Sequence, residues 1–196
     1  MDIFQNNALR RALDGVTGHL LTHEHACIIE GLKAIYSHTI APLEDPPDQP
    51  NGYNCYMYAL GLHRLPDDLV DLALNADLSP DSAFVVHLLV SGALEPDDEG
   101  DLVIYFGPPM PKHAGLRHGR AVISKWGTGR LWSHGLDEVP LAYGFRVQFF
   151  KRLPDGTAES LYRNYVERLL GSQGATSAHP HSRAERSIGP GPTLFP

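Results

Sequence analysis

The sequence lacks an apolar run long enough to cross a membrane, and it carries only two cysteines, Cys27 and Cys55. A membrane helix needs about 20 consecutive apolar residues, so we expect no membrane association. Two thiols are too few for a disulfide scaffold in a chain of 196 residues. The sequence also contains no Cys-x-x-Cys pair, the pattern that would suggest a zinc site. Lone thiols fit a reducing compartment, where one of them can serve as a nucleophile.

A net positive charge is also missing, and no secretory signal is visible. The net charge of −7 argues against a nucleic-acid partner, because phosphates call for a basic surface. Residues 1–15 show no basic start followed by an apolar run. We therefore expect a cytoplasmic protein, with export by a route that needs no signal peptide as the alternative. The segment His23-Glu24-His25 is not the His-Glu-x-x-His pattern of helical zinc sites, so we predict no metal and no cofactor.

Hydrophobic periodicity divides the chain into three parts. Residues 1–42 are predicted to be helical, residues 43–170 to form the core domain, and residues 171–196 to be a disordered tail. The four prolines of segment 41–52 predict a loop.

The core domain itself changes pattern halfway along. Helical patterns come first, the last of them at about 80–91 with Ser79 as its cap, and short runs rich in β-branched and aromatic residues follow at 101–106, 113–116, 120–126 and 145–150. A final helix is predicted over 158–170. The sequence thus predicts an α+β fold, with N-terminal helices followed by a small antiparallel sheet.

Cys55 is the first candidate for chemistry, because Asn54 before it is a good helix N-cap. A helix N-terminus and a neighbouring imidazolium both lower the pKa of a thiol. His113 opens a predicted strand and can act as base and then as acid, with His118, more simply a turn residue, as the alternative base. The competing interpretation of Cys55 is a small buried apolar residue. Cys27, set among apolar neighbours, is expected to be buried.

Three segments, NCYMYALG (54–61), GDLVIYF (100–106) and HAGLRHGRAVISKWG (113–127), resemble the NlpC-type and CHAP branch of the papain-like fold. Members of that branch place a cysteine at the N-terminus of a helix that packs on a sheet. A strand introduced by Gly-Asp-Leu-Val follows, and then a histidine opens the next strand. Segment 124–144 is also similar to a group of uncharacterised bacterial domains. The resemblance covers residues 49–151, about half of the chain.

The resemblance implies a papain-like core and a cysteine hydrolase, either a peptidase or an amidase, that works through a thioester. In it Cys55 is the nucleophile and His113 the base, and the substrate is a peptide or amide, usually in peptidoglycan. Papain-like enzymes commonly carry a glutamine six residues before the cysteine as an oxyanion donor, and Gln49 has that spacing. The backbone N–H of Cys55 is the competing donor.

The third catalytic position departs from the family pattern. Counting without gaps reaches Lys125, whose positive charge cannot accept a hydrogen bond from an imidazole. Ser124 and His134 remain as candidates for orienting the ring. Tyr53 and Trp126 are candidates for binding substrate, although core packing is the alternative for Trp126. The missing acceptor also favours a second hypothesis, a catalytically inactive papain-like binding or regulatory module with a protein partner.

Overall fold

The computed structural model describes residues 6–17, 24–44, 53–75, 78–127 and 129–176. The helices within these ranges are α1 (Asn7–Thr17), α2 (His25–Leu32), α3 (Cys55–Ala59), α4 (Asp67–Asn75), α5 (Ser82–Val90) and α6 (Thr157–Thr176). The strands are β1 (Ala41–Pro42), β2 (Leu102–Phe106), β3 (Pro111–His118), β4 (Ala121–Lys125), β5 (Leu131–His134) and β6 (Arg146–Phe150). A single 3-10 turn, η1 (Leu141–Tyr143), lies between β5 and β6. The predicted α+β class, helices first and an antiparallel sheet after them, is confirmed.

The described strands form one six-stranded antiparallel sheet in the order β1-β5-β4-β3-β2-β6. Strands β3 and β4 are joined by a tight hairpin in which His118 pairs with Ala121. Gly119 adopts a φ of 63° in this turn, a conformation that glycine reaches without steric cost. The hairpin therefore fixes β3, the strand that carries His113, in the middle of the sheet.

The two faces of the sheet are covered by different helices. One face contributes Ile104 and Ala114 to a core shared with α3, α5 and α6. The other face contributes Val103 and Tyr105 to a core shared with α1 and α2. Successive side chains of a strand point to opposite faces, so the register of each strand decides which helices its residues meet.

Three boundaries differ from the sequence prediction. The first two residues of segment 41–52, Ala41 and Pro42, pair with β5 as a strand at the sheet edge, where proline is tolerated. The cap of α5 is Asp81 rather than Ser79, because its carboxylate accepts from the N–H groups of Ala83 and Phe84. Helix α6 continues to Thr176, six residues into the predicted tail, and residues 177–196 lie outside the described part.

None of the helices in the described ranges is long and apolar enough to span a membrane.

Candidate active site

Cys55 is the first residue of α3, and Asn54 fixes the start of that helix. The Asn54 Oδ1 accepts from the N–H of Met57 at 2.9 Å, so Asn54 is the predicted N-cap. Its Nδ2 donates to the carbonyl of Pro80 at 2.9 Å. One side chain thus caps the cysteine helix and ties it to the segment before α5.

A shallow groove of about 270 Å³ borders Cys55. Its other walls come from the beginning of β3, with Pro111 and Lys112, and from the beginning of α5, with Asp81 and Ser82. The cysteine is partly exposed. A substrate entering this groove would reach the thiol between a helix N-terminus and a sheet strand.

Backbone N–H groups surround the Cys55 thiol. Hydrogen bonds from the N–H groups of Ala114, Tyr56 and Cys55 itself favour the thiolate, but burial outweighs them and raises the pKa of the thiol from 9.0 to about 11. The expectation of a lowered thiol pKa was therefore wrong for this structure. The helix N-terminus is present, but a thiolate in this position would lose more hydration than the N–H groups return.

His113 lies on β3 and is almost completely buried, with 1% of its surface exposed. Its ring stacks on that of Tyr143, with ring centroids 4.0 Å apart and planes 15° apart, and Tyr105 contacts it at 5.6 Å. The Nε2 atom is buried without a hydrogen-bond partner. Burial first, and then the nearby His134, hold the pKa of His113 well below 6.5, so the imidazole is neutral.

The side chains of Cys55 and His113 lie on different faces of the sheet. His113 pairs with Tyr105 across the strands and shares its face of the sheet, whereas Cys55 packs with the cluster on the α3 face. The sulfur meets the peptide unit that follows His113, through the N–H of Ala114. Among the described contacts of these two residues, none is a hydrogen bond between thiol and imidazole. The structure thus places the Cys55 thiol beside the backbone of the residue that follows His113, and burial favours the neutral form of both side chains.

Ser124 and His134, the candidates for the third position, bond to each other. The Ser124 Oγ lies 2.8 Å from His134 Nε2, and His134 Nδ1 lies 2.8 Å from the carbonyl of Gly135. Because a carbonyl only accepts, Nδ1 carries the proton and Nε2 accepts from the serine hydroxyl. Burial lowers the pKa of His134 to about 4, which agrees with this neutral form. Neither side chain is a described hydrogen-bond partner of His113.

Lys125 follows Ser124 on β4 and is fully buried. Its ammonium donates to the carbonyl of Gly129 at 2.7 Å. The same Nζ lies 3.9 Å from the centre of the Tyr53 ring. The Tyr53 hydroxyl in turn donates to Glu44 at 3.4 Å. Tyr53 is thus held two residues before Cys55 and is half-buried, and it remains a candidate for contacting substrate.

Trp126 differs from the expectation that it lines a substrate cleft. Only 1% of its surface is exposed, and its ring stacks on that of Trp132 at 5.3 Å. Its indole N–H donates to Ser124 at 3.1 Å. Trp126 is therefore a core residue that supports the Ser124–His134 pair.

The positions of the remaining residues singled out in the sequence decide their roles. His118 is exposed at the far end of β3, about 17 Å along the strand from His113, so it is not the base. Gln49, the predicted oxyanion donor, lies outside the described residues. Cys27 is exposed, which corrects the expectation that it is buried. In the described ranges no group of three histidine, cysteine or acidic side chains is arranged to hold a metal ion.

Tyr143 is the site residue that the sequence did not single out. It belongs to η1, between β5 and β6, and it reaches the site only through the fold. Burial raises the pKa of its hydroxyl well above the ordinary value, and the nearby Cys55 raises it further. An aromatic residue before a glycine carries no local signal of such a role.

Comparison with known proteins gave no relatives: no family model, no curated protein and no solved structure matches this chain.

Proposed function

We propose that the protein is a cysteine hydrolase, a peptidase or amidase, with Cys55 as nucleophile and His113 as base. One observation carries the proposal: the Cys55 thiol opens into a groove at a helix N-terminus and contacts the backbone of the strand residue that follows His113. A nucleophile with a nearby histidine is the minimal set for acyl transfer. The papain-like resemblance of the motifs around both residues supports the same pairing.

The chemistry starts from a neutral pair. As the sulfur attacks the carbonyl carbon of the substrate, His113 takes the thiol proton and the carbonyl electrons move to oxygen. The resulting oxyanion is held by backbone N–H groups at the start of α3. His113 then gives its proton to the leaving amine, and the C–N bond breaks to leave a thioester. Water, deprotonated by His113, cleaves the thioester and restores the thiol.

The groove favours an extended substrate. It is open and shallow, and it runs between the start of β3 and the start of α5. A peptide, including one from peptidoglycan, fits this form better than a compact ligand that needs an enclosed pocket. For the reaction to proceed, the imidazole must reach the sulfur around the peptide unit that joins His113 and Ala114.

An acylation experiment tests the proposal. The background is Cys27→Ser, because the exposed Cys27 would otherwise compete for the reagent. The folded protein is incubated with p-nitrophenyl acetate and, separately, with a mixture of soluble peptidoglycan peptides. We expect an acetyl group on Cys55 in peptide mapping by mass spectrometry, and new free amines among the peptides.

Three further variants serve as controls. In the same background, Cys55→Ala should abolish acylation, and His113→Gln should slow it about 10²-fold or more. His118→Gln should leave the rate unchanged, since His118 lies at the other end of the strand. A folded protein that leaves Cys55 free with both reagents would contradict the hydrolase.

The second candidate is a catalytically inactive papain-like binding or regulatory module. It is favoured by a specific observation: burial raises the pKa of Cys55 to about 11 and holds that of His113 well below its ordinary value. Acetylation of Cys55 at neutral pH in the Cys27→Ser background separates the two. Acetylation that His113→Gln slows supports the enzyme, whereas no acetylation together with an iodoacetamide alkylation midpoint above 9 supports the module.

A further inference from the structure

We propose that Tyr143 is the positioning residue for His113, and that it holds the imidazole by stacking where papain-like enzymes use a hydrogen-bond acceptor. The inference rests on the proposed function, in which His113 is the base.

The ring contact is close and nearly parallel. The centroids of His113 and Tyr143 are 4.0 Å apart and the planes differ by 15°, closer than the 5.6 Å and 49° contact with Tyr105. Stacking fixes the plane of an imidazole while leaving its edge, where both nitrogens lie, free for proton transfer. The unpartnered Nε2 of His113 fits an imidazole that is held by its face.

The backbone that carries Tyr143 is itself anchored by α1, which a platform requires. The fully buried Arg10 of α1 donates to the carbonyl oxygens on either side of η1, at Pro140 and Gly144. The carboxylate of Asp14, one turn further along α1, accepts from the N–H of Ala142 at 2.8 Å.

The two candidates for orienting His113 are engaged elsewhere, and so is Lys125, the residue that the family pattern reaches at the third position. Ser124 and His134 bond to each other, and the ammonium of Lys125 binds the carbonyl of Gly129. Tyr143 also covers the ring from solvent, since Tyr143 is partly exposed and His113 beneath it is not. Among the described ring contacts of His113, the stack with Tyr143 is the closest.

The test compares Tyr143→Ala and Tyr143→Leu, which remove the stack, with Tyr143→Phe, which keeps the ring and loses only the hydroxyl. The first readout is an NMR titration of the His113 ring protons in the full-length Cys27→Ser protein. The titratable groups around the ring are Tyr105 on β2, His134 on β5, Tyr143 itself and Cys55, which lies near Tyr143, and every variant keeps all of them except Tyr143.

We expect the His113 titration in Tyr143→Ala and Tyr143→Leu to move up towards the ordinary value of about 6.5, while Tyr143→Phe titrates as the parent does. The second readout is the rate of Cys55 acetylation by p-nitrophenyl acetate. It should fall about 10- to 100-fold without the stack and stay within about threefold of the parent in Tyr143→Phe.

The two readouts separate failure of the inference from failure of the proposed function. If the parent protein does not acetylate Cys55, the hydrolase proposal fails, and the titration alone then decides whether Tyr143 holds the ring. An unchanged His113 titration in folded Tyr143→Ala or Tyr143→Leu would overturn the inference. An equal loss of acetylation in Tyr143→Phe would also overturn it, because the hydroxyl rather than the stack would then be the active feature.

Discussion

At the scale of single residues, Cys55 shows how two effects on one thiol compete. The N-terminus of α3 and three backbone N–H groups favour the thiolate, whereas burial favours the thiol. Burial wins because a helix of five residues has a short dipole, and its N–H groups replace only part of the lost hydration. In the proposed hydrolase the thiol would therefore depend on a base that removes its proton during the reaction, and His113 is the candidate for that base.

The first prediction concerns Asn54, which starts the cysteine helix. Asn54→Ala removes the cap on the N–H of Met57 and the hydrogen bond to Pro80. We expect a loss of about 1 to 2 kcal/mol in the free energy of unfolding, measured by urea denaturation. Asn54→Ser keeps a capping oxygen and loses only the bond to Pro80, so it should lose about half as much. Equal urea midpoints for the parent and Asn54→Ala would show that the cap contributes nothing.

At the scale of elements, α1 holds η1 against the sheet. Arg10 is completely buried, and besides its bonds to Pro140 and Gly144 it donates to the carbonyl of Val139 at 3.0 Å. The segment between β5 and β6 is thus held in place by a helix more than 120 residues earlier in the chain. Through Tyr143, the same helix reaches the candidate base.

The second prediction compares the neighbouring arginines of α1. Arg10→Ala leaves buried carbonyl oxygens without donors and opens a cavity, so we expect a loss of about 2 to 5 kcal/mol in the free energy of unfolding. Arg11→Ala changes an exposed side chain of the same type and should stay within about 0.5 kcal/mol of the parent. Urea denaturation measures both. Similar losses in the two variants would mean that the helix, and not the buried guanidinium, is responsible.

At the scale of the whole molecule, buried neutral groups make the free energy of unfolding depend on pH. The pKa of His134 is lowered to about 4 and that of His113 lies well below 6.5, so the unfolded chain takes up protons first when the pH falls. Stability therefore rises with pH up to about 6.5. Cys55 has a raised pKa of about 11, so the unfolded chain loses that proton first and stability falls as the pH rises above about 9.

The third prediction is a stability maximum between about pH 7 and 9. Each histidine should contribute a slope of up to about 1.4 kcal/mol per pH unit between its folded pKa and 6.5. Urea denaturation at pH 4.5, 5.5, 7 and 8 measures the slope. His134→Gln should flatten the acid limb, whereas His118→Gln, at an exposed position, should not. A stability that is constant from pH 5 to 7 would contradict the neutral buried histidines.

The chain allows a direct comparison of local and non-local information. The cap at Asn54, the hairpin at Gly119 and the change from helices to strands are local patterns, and the structure contains all three. The edge strand at Ala41 was not predicted, because two residues next to prolines become a strand only when β5 pairs with them. Cys27 was predicted to be buried because its neighbours in the sequence are apolar. The packing of α2 leaves it exposed.

The sequence by itself determined the α+β class and the placement of Cys55 at a capped helix start, since caps, turns and periodicity act over a few residues. Only the tertiary structure decided which groups surround the two candidate residues. It paired Ser124 with His134, placed Trp126 in the core and brought Tyr143 onto His113. Those contacts depend on strand register and on packing between segments far apart in the chain. The burial that raises the pKa of Cys55 and lowers that of His113 depends on the same packing.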